Sequence, residues 1–287
     1  MVFEPFQSGL VESLLGVFNG KFLPVNDIKI SPMSRAYTFA DAVYEVVPYI
    51  HGKAVALDRH LNRLGKSSEA IQLNVDISIV EKEIQKLAHQ SLIDANGYIY
   101  YQLSRGTDTV RNHLYANDLT PESFGYATLT KQSNNHQIAK IVPDIRWGRC
   151  DIKSTALLAN VMLMNQASLE GCNEIIMHRD GYITEAGSSN IFIAKDTKIL
   201  TPPKDSHILA GITRELLLEN FSQSFNILEE PCHLDLLSEA DCVFLTSSTK
   251  GILVINEIQN NDYSFNQNNA LFSELMAAFN NFLETAF

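Results

Sequence analysis

The sequence predicts a mixed α/β (α+β) protein of two domains, and three observations carry that prediction. The chain has 287 residues, 45% of them hydrophobic and 19% charged, which allows two cores at roughly 150 residues per domain. Segments with the β-branched and aromatic signature of strands alternate with segments whose apolar residues recur at helical spacing. A polar, aperiodic stretch, Lys131-Gln132-Ser133-Asn134-Asn135-His136-Gln137, separates residues 1–130 from residues 138–287 and reads as a linker.

The elements follow in order. Asn19-Gly20, set between Val17-Phe18 and Lys21-Phe22-Leu23, marks a tight hairpin. Residues 43–50 read as a strand that turns at His51-Gly52-Lys53. Leu57, Leu61, Leu64 and Ile71 define one helix face, and Val80, Ile84, Leu87 and Ala88 a second. Strands are expected at 97–103 and 125–129. In the second half, 155–170 reads as a helix ended by Gly171 at the C′ position. Short strands are expected at 174–178, 182–184, 190–194 and 198–200, with turns at Arg179-Asp180-Gly181 and Asp196-Thr197. A helix at 211–220, a strand at 241–245 and an amphipathic helix at 272–287 complete the chain.

Composition excludes several classes. A formal net charge of −11 with no basic stripe argues against a nucleic-acid partner. Cys150, Cys172, Cys232 and Cys242 form no CxxC pair, so no metal site is expected, and scattered cysteines suit a reducing compartment. Residues 1–16 carry Glu4 and Glu12 and lack the basic start and apolar run of a secretory leader. No apolar stretch reaches the roughly 20 residues that span a bilayer. The expected location is cytoplasmic.

Lys153 and Glu185 carry the chemistry. A lysine in a partly apolar cleft loses basicity, so its free amine can attack an aldehyde and then shuttle a proton. A carboxylate such as Glu185 can keep a pyridine nitrogen protonated. Gly211-Ile212-Thr213 opens a helix, where amides of Ile212 and Thr213 and the Thr213 hydroxyl would face an anion. Thr246-Ser247-Ser248-Thr249 puts hydroxyls at the end of a strand, and Arg63 offers a bidentate fork for phosphate. Taken singly, each has an ordinary alternative: a solvated lysine, a turn carboxylate, a capped helix, a polar turn and a salt-bridge arginine. Together they supply what pyridoxal phosphate needs: a lysine, a nitrogen partner and a phosphate cup.

The strings Tyr37-Thr38-Phe39-Ala40-Asp41-Ala42-Val43-Tyr44-Glu45-Val46-Val47, 144–154, 184–192 and 209–214 resemble the class IV, fold-type IV pyridoxal-phosphate aminotransferases. Within that family the chain is most similar to the D-amino-acid aminotransferases. The resemblance implies a two-domain fold with pyridoxal 5′-phosphate bound at the domain interface. It implies that Lys153, in the C-terminal domain, is the Schiff-base and proton-transfer lysine, and that Glu185 is the partner of the pyridine nitrogen. Arg63, Ile212, Thr213 and Ser248 match phosphate contacts, with Thr249 adjacent; Leu209 matches the apolar residue on the cofactor ring and Ser189 a nearby hydroxyl.

Arg111, His113 and Tyr37 match the family's grip on the substrate α-carboxylate, the first two donated across a homodimer interface. The implied reaction is transamination between a D-amino acid such as D-alanine and a 2-oxo acid such as 2-oxoglutarate. Aminodeoxychorismate lyase and branched-chain aminotransferase are the alternatives on this fold, the latter disfavoured by Leu158 where a tyrosine is usual. A non-catalytic scaffold is the alternative from another class. The chain departs from the family in carrying Ala40-Asp41-Ala42 for Gly-Asp-Gly, Lys250-Gly251 where an acidic residue is common, and one extra residue between Arg105 and Arg111.

Overall fold

Positive backbone φ angles stand where the sequence signalled hairpins. Asn19 (48°) and Gly20 (79°), then His51 (49°) and Gly52 (75°), form two-residue turns whose twist matches that of the flanking strands. They join β1 (Leu15–Phe18) to β2 (Lys21–Pro24) and β3 (Ala42–Ile50) to β4 (Lys53–Ala54). The computed structural model describes residues 14–130, 136–265 and 269–287. Its chain divides into two units, Met1–Lys131 with Ile152–Ala156, and Gln132–Asp151 with Leu157–Phe287.

The first unit adds α1 (Arg35–Phe39), α2 (Leu57–Ala70), α3 (Ile77–Ser91), β5 (Gly97–Ser104) and β6 (Glu122–Leu129). Its strands pair antiparallel in the order β2-β1-β6-β5-β3-β4. Alternate residues Val43 and Val47 of β3 and Ile99, Tyr101 and Leu103 of β5 pack against Leu64 of α2 and Ile84 and Leu87 of α3. Each such buried apolar side chain contributes about 1.5–3 kcal/mol. Asp76 caps α3 by accepting from the Ser78 amide at 2.9 Å.

The second unit comprises β7 (Ile138–Pro143), α4 (Leu158–Leu169), β8 (Glu174–Arg179), β9 (Tyr182–Ala186), β10 (Asn190–Lys195), β11 (Lys198–Thr201), α5 (Ile212–Phe221), β12 (Ile227–Glu229), β13 (Cys242–Ser247), β14 (Gly251–Ile255), β15 (Glu257–Ile258) and α6 (Ala270–Ala286). Two sheets form, β12-β11-β10-β13-β14 and β15-β7-β8-β9. Ile176 and Ile183 of the second sheet share one core with Ile191, Ile193, Val243 and Leu245 of the first. Asn269 caps α6 through the Phe272 amide at 2.8 Å. No helix among the described residues is long and apolar enough to cross a membrane.

Three expectations change. The helix expected from residue 155 begins at Leu158, because the chain before it is committed to a sheet edge. Tyr44 N donates to Lys153 O at 2.9 Å, Thr155 N donates to Ala42 O at 3.0 Å, and Ser154 bridges Val43. For the same reason Lys153, assigned from sequence to the C-terminal domain, belongs to the first unit, and Ile152 is buried in that unit's core. The expected linker lies outside the described residues at 131–135, while Gln137 is buried and its amide donates to Asn256 Oδ1 at 2.7 Å.

Candidate active site

In the first unit, Lys153 rides on the edge of β3 that β4 leaves open. Its amide donates to Ser67 Oγ of α2 at 3.2 Å and its carbonyl accepts from Tyr44 N at 2.9 Å, so its backbone is held on both sides. The Nζ atom stands 4.5 Å from the centroid of the Tyr44 ring, a cation–π contact. Tyr44 stacks on Tyr100 at 5.5 Å, and Tyr100 on Tyr126 at 5.4 Å. The lysine therefore sits on a sheet edge and an aromatic shelf, a firmer mount than a loop provides.

Beside it, Glu45 of β3 is 1% exposed. It accepts from Arg63 Nε at 2.7 Å, Arg63 Nη2 at 3.0 Å and His60 Nδ1 at 2.7 Å. His60 and Arg63 stand three apart on α2 and so share a face. Burial alone would raise the Glu45 pKa; the charges and hydrogen bonds of Arg63 and His60 overcome it and hold the carboxyl well below the usual range. Burial lowers the His60 pKa against the pull of Glu45, with the charges of Arg63 and Lys153 acting in the same downward direction. The buried His60 Nε2 has no hydrogen-bond partner, as suits a neutral ring donating through Nδ1. Arg63 is thus a salt-bridge residue, and its guanidinium is oriented by Glu45.

The third group of the first unit surrounds Phe39. Arg111 Cζ lies 4.6 Å from that ring and the His113 ring 5.4 Å away. Tyr37, two residues earlier in α1, is 80% exposed. Ala40, at the first glycine position of the family's Gly-Asp-Gly, ends α1 with φ 53° and ψ 32°. An alanine there costs roughly 1 kcal/mol in left-handed backbone.

In the second unit, Glu185 of β9 is 6% exposed and bonded from three directions. Asn190 Nδ2 and Leu209 N donate to Oε1 at 3.0 and 2.9 Å, and Arg146 Nη1 donates to Oε2. Arg146 is itself held by Asp144 through Nε at 2.9 Å and Nη2 at 2.8 Å. Asp144 also accepts from Arg179 Nε at 3.2 Å and Thr184 Oγ1 at 2.9 Å. Burial would raise the Asp144 pKa; hydrogen bonds and charge from Arg146, with Arg179, push it below the ordinary aspartate value.

Asn190 links this carboxylate to the start of α5. Its Nδ2 also donates to Leu209 O at 2.8 Å. Its Oδ1 would lie 2.0 Å from a Cβ on Gly211, so any side chain at 211 would push Asn190 out of this position. Gly211 is the N-cap of α5 and no side chain caps that helix, which leaves its first amides to find an acceptor. Ile212 and Thr213 are buried there, and Ser189 Oγ and Thr246 Oγ1 are buried without a hydrogen-bond partner. Ser248 and Thr249 occupy the β13–β14 turn, where Lys250 N donates to Ser247 Oγ at 3.2 Å. Uncapped amides, orphaned hydroxyls and a buried carboxylate suit one group carrying both a phosphate and a ring nitrogen.

The structure therefore gathers the sequence-derived residues in clusters: Lys153 near Arg63's partners, Arg111 with His113, and Glu185 with Leu209 and the start of α5. Sequence reasoning passed over Arg146, Asp144, Asn190, Tyr44 and Glu45, although each lies inside a string already singled out. An Asp-x-Arg run and an Asn five residues after the key glutamate were the available signals.

Residues 42–258 match the family model of amino-transferase class IV, and the chain belongs to that family. A D-alanine aminotransferase of Bacillus licheniformis is 37% identical over 251 residues, spanning 84% of this chain and 87% of the relative. The branched-chain aminotransferase of Thermoproteus uzoniensis with norvaline superposes with a TM-score of 0.83 at 20% identity, covering 94% of both chains. A hypothetical aminotransferase from Mycobacterium tuberculosis in its PLP-bound form gives a TM-score of 0.81 at 18% identity, over 92% of this chain and 98% of the other. These two likenesses establish the fold: a mixed α/β, fold-type IV architecture.

Proposed function

We infer that the chain is a pyridoxal-phosphate-dependent transaminase that moves an amino group between a D-amino acid, such as D-alanine, and a 2-oxo acid, such as 2-oxoglutarate. The observation that carries the reading is Asn190. One side chain holds the Glu185 carboxylate and packs on the glycine that opens the uncapped helix α5. The similarity to the D-alanine aminotransferase of Bacillus licheniformis supports the choice of substrate.

Bound pyridoxal 5′-phosphate supplies an electron sink for the charge left on the substrate Cα when its proton departs. The residues divide the remaining work. Lys153 Nζ would hold the cofactor between turnovers, would take the Cα proton of the amino donor, and in the second half-reaction would deliver a proton to the corresponding carbon of the oxo acid. Glu185 would face the ring nitrogen, its carboxylate positioned by hydrogen bonds from Arg146, Asn190 and Leu209 N. In this reading the phosphate would fall to Arg63, to the Ile212 and Thr213 amides, and to Ser248 and Thr249. Leu209 would lie against the ring, and the Ser189 hydroxyl would be available to donate beside it.

Tyr37, Arg111 and His113 bind the substrate α-carboxylate. Their exposed placement on the first unit supports a homodimer in which Arg111 and His113 serve the other protomer's site. Four free, buried cysteines support a reducing, cytoplasmic setting.

Incubation of the holoenzyme with D-alanine and 2-oxoglutarate tests the reading. Pyruvate and D-glutamate are expected, and Lys153→Ala is expected to abolish turnover. Failure to form either product, with aminodeoxychorismate consumed instead, would favour the lyase. Transfer from L-leucine alone would favour a branched-chain enzyme, and a colourless protein without a borohydride-sensitive visible band a non-catalytic scaffold.

A further inference from the structure

Arg35 is a buried arginine whose donors reach the chain that carries Arg111 and His113. Its side chain is 4% exposed. Nη1 donates to Asn112 O at 2.7 Å and Nη2 to His113 O at 3.4 Å. Nε donates to Asp41 Oδ2 at 2.9 Å, and Asp108 Oδ2 lies 3.6 Å from Nη1. The Arg35 backbone amide adds a bond to Gly106 O at 2.8 Å. Its guanidinium also lies 4.6 Å from the Phe39 ring centroid, the same ring that Arg111 approaches at 4.6 Å.

Those contacts matter because they hold the middle of a segment whose other ties lie toward its ends, at the Ser34–Thr107 bridge, from Asp108 N to Met33 O and from the Tyr115 hydroxyl to Gln72 Oε1. Residues 105–121 join β5 to β6 without helix or strand, and Arg111, Asn112 and His113 are themselves exposed. A second arginine secures the start of the segment. Arg105 donates to both Asp41 oxygens, at 2.7 and 3.0 Å, and lies 3.9 Å from the Tyr115 ring. Asp41 thus anchors two guanidinium groups, one at the root of the loop and one under its far limb. A guanidinium can do this because it offers five donors in a rigid fork, enough for two carboxylates and two carbonyls at once.

We propose that Arg35 is a positioning residue for α-carboxylate recognition: by clamping the carbonyls of Asn112 and His113 it holds Arg111 and His113 in one arrangement about Phe39. The inference rests on the reading that those two side chains bind the α-carboxylate. A purely structural arginine would affect folding and leave substrate affinity alone. A positioning arginine would instead change the affinity for the carboxylate-bearing substrate.

The test uses holoenzyme carrying Arg35→Lys or Arg35→Met, with Arg111→Met as reference. Both Arg35 variants are expected to raise KM for D-alanine about 10- to 100-fold, since misplacement of a binding group by an ångström has effects of that order. The expected kcat and cofactor affinity stay near wild type. Hydrogen exchange of the amides at 106–115 should quicken in the same variants, read without substrate. Arg35→Lys serves if Arg35→Met does not fold. Unchanged KM in the Arg35 variants while Arg111→Met raises it would overturn the proposal. So would unchanged loop exchange, or an equal loss of cofactor affinity. If Arg111→Met itself leaves KM unaltered, the carboxylate assignment falls and the proposal with it; faster loop exchange in the Arg35 variants would still mark the clamp as real.

Discussion

The two units bury their key carboxylates in different company. Glu45, in the first unit, is bonded by Arg63 and His60, both from one face of one helix. Glu185, in the second, takes two of its hydrogen bonds from neutral donors, Asn190 and the Leu209 amide, and one from an arginine already bonded to Asp144. The first arrangement uses a carboxylate to orient a cation. The second spreads one carboxylate over donors from three different places in the chain, Arg146, Asn190 and Leu209.

That contrast can be broken in order of effect. Glu45→Gln should be the most damaging to folding, at about 3–5 kcal/mol, because it leaves a largely buried Arg63 without its counter-charge. Denaturant unfolding measures it, and a loss below about 1 kcal/mol would refute the importance of the pair. Glu185→Gln should act on turnover instead. Its amide oxygen can still accept from Asn190 and Leu209 N, and Arg146 retains Asp144. We expect kcat to fall about 10²-fold, equivalent to roughly 2.7 kcal/mol, with unfolding midpoints much less affected than in Glu45→Gln.

Acid sharpens the comparison. The His60 pKa lies below its ordinary 6.5 because the ring is buried. Below that pH the unfolded chain binds a proton that the native chain does not, so stability falls as pH drops, by at most about 1.4 kcal/mol per pH unit. Glu45 and Asp144 have depressed values, so their contributions persist above the ordinary carboxylate range and are lost only as pH falls through their lower folded values. Unfolding measured from about pH 8 to about pH 5 should therefore show a slope that His60→Gln removes and Asp144→Asn does not. The smallest expected change is at Ala40, where Ala40→Gly should relieve the left-handed backbone and stabilise by up to about 1 kcal/mol; an unaltered or lower melting temperature would count against strain there.

Local chemistry was legible in the sequence wherever one residue decided it. Asn19-Gly20 and His51-Gly52 adopt the positive φ angles their turns require, and Gly211 opens α5 as read. Lys153 and Glu185 could be singled out because their strings are short and contiguous. Partnerships that depend on distant segments were not legible. Nothing in the order of residues says that Arg146 reaches Glu185, that Asn190 spans Glu185 and Leu209, or that Glu45 meets Arg63. The start of α4 differs from the expectation for a related reason: Lys153 O and Thr155 N are already bonded to β3, and the helical period cannot reveal that competition.

The strand-like segment Ile152–Ala156 also has a consequence for how the protein is made. A chain emerging from the ribosome completes the sheet of its first unit with residues that come only after 132–151, which belong to the other unit. Until then the part of the β3 edge that β4 leaves open is unpaired and the first core lacks Ile152, and an open edge invites pairing with another chain. The piece that closes the exposed edge is the piece that carries Lys153. A nascent chain therefore acquires its reactive amine in the same step that covers the open stretch of β3, and a fragment stopped at residue 131 would have neither.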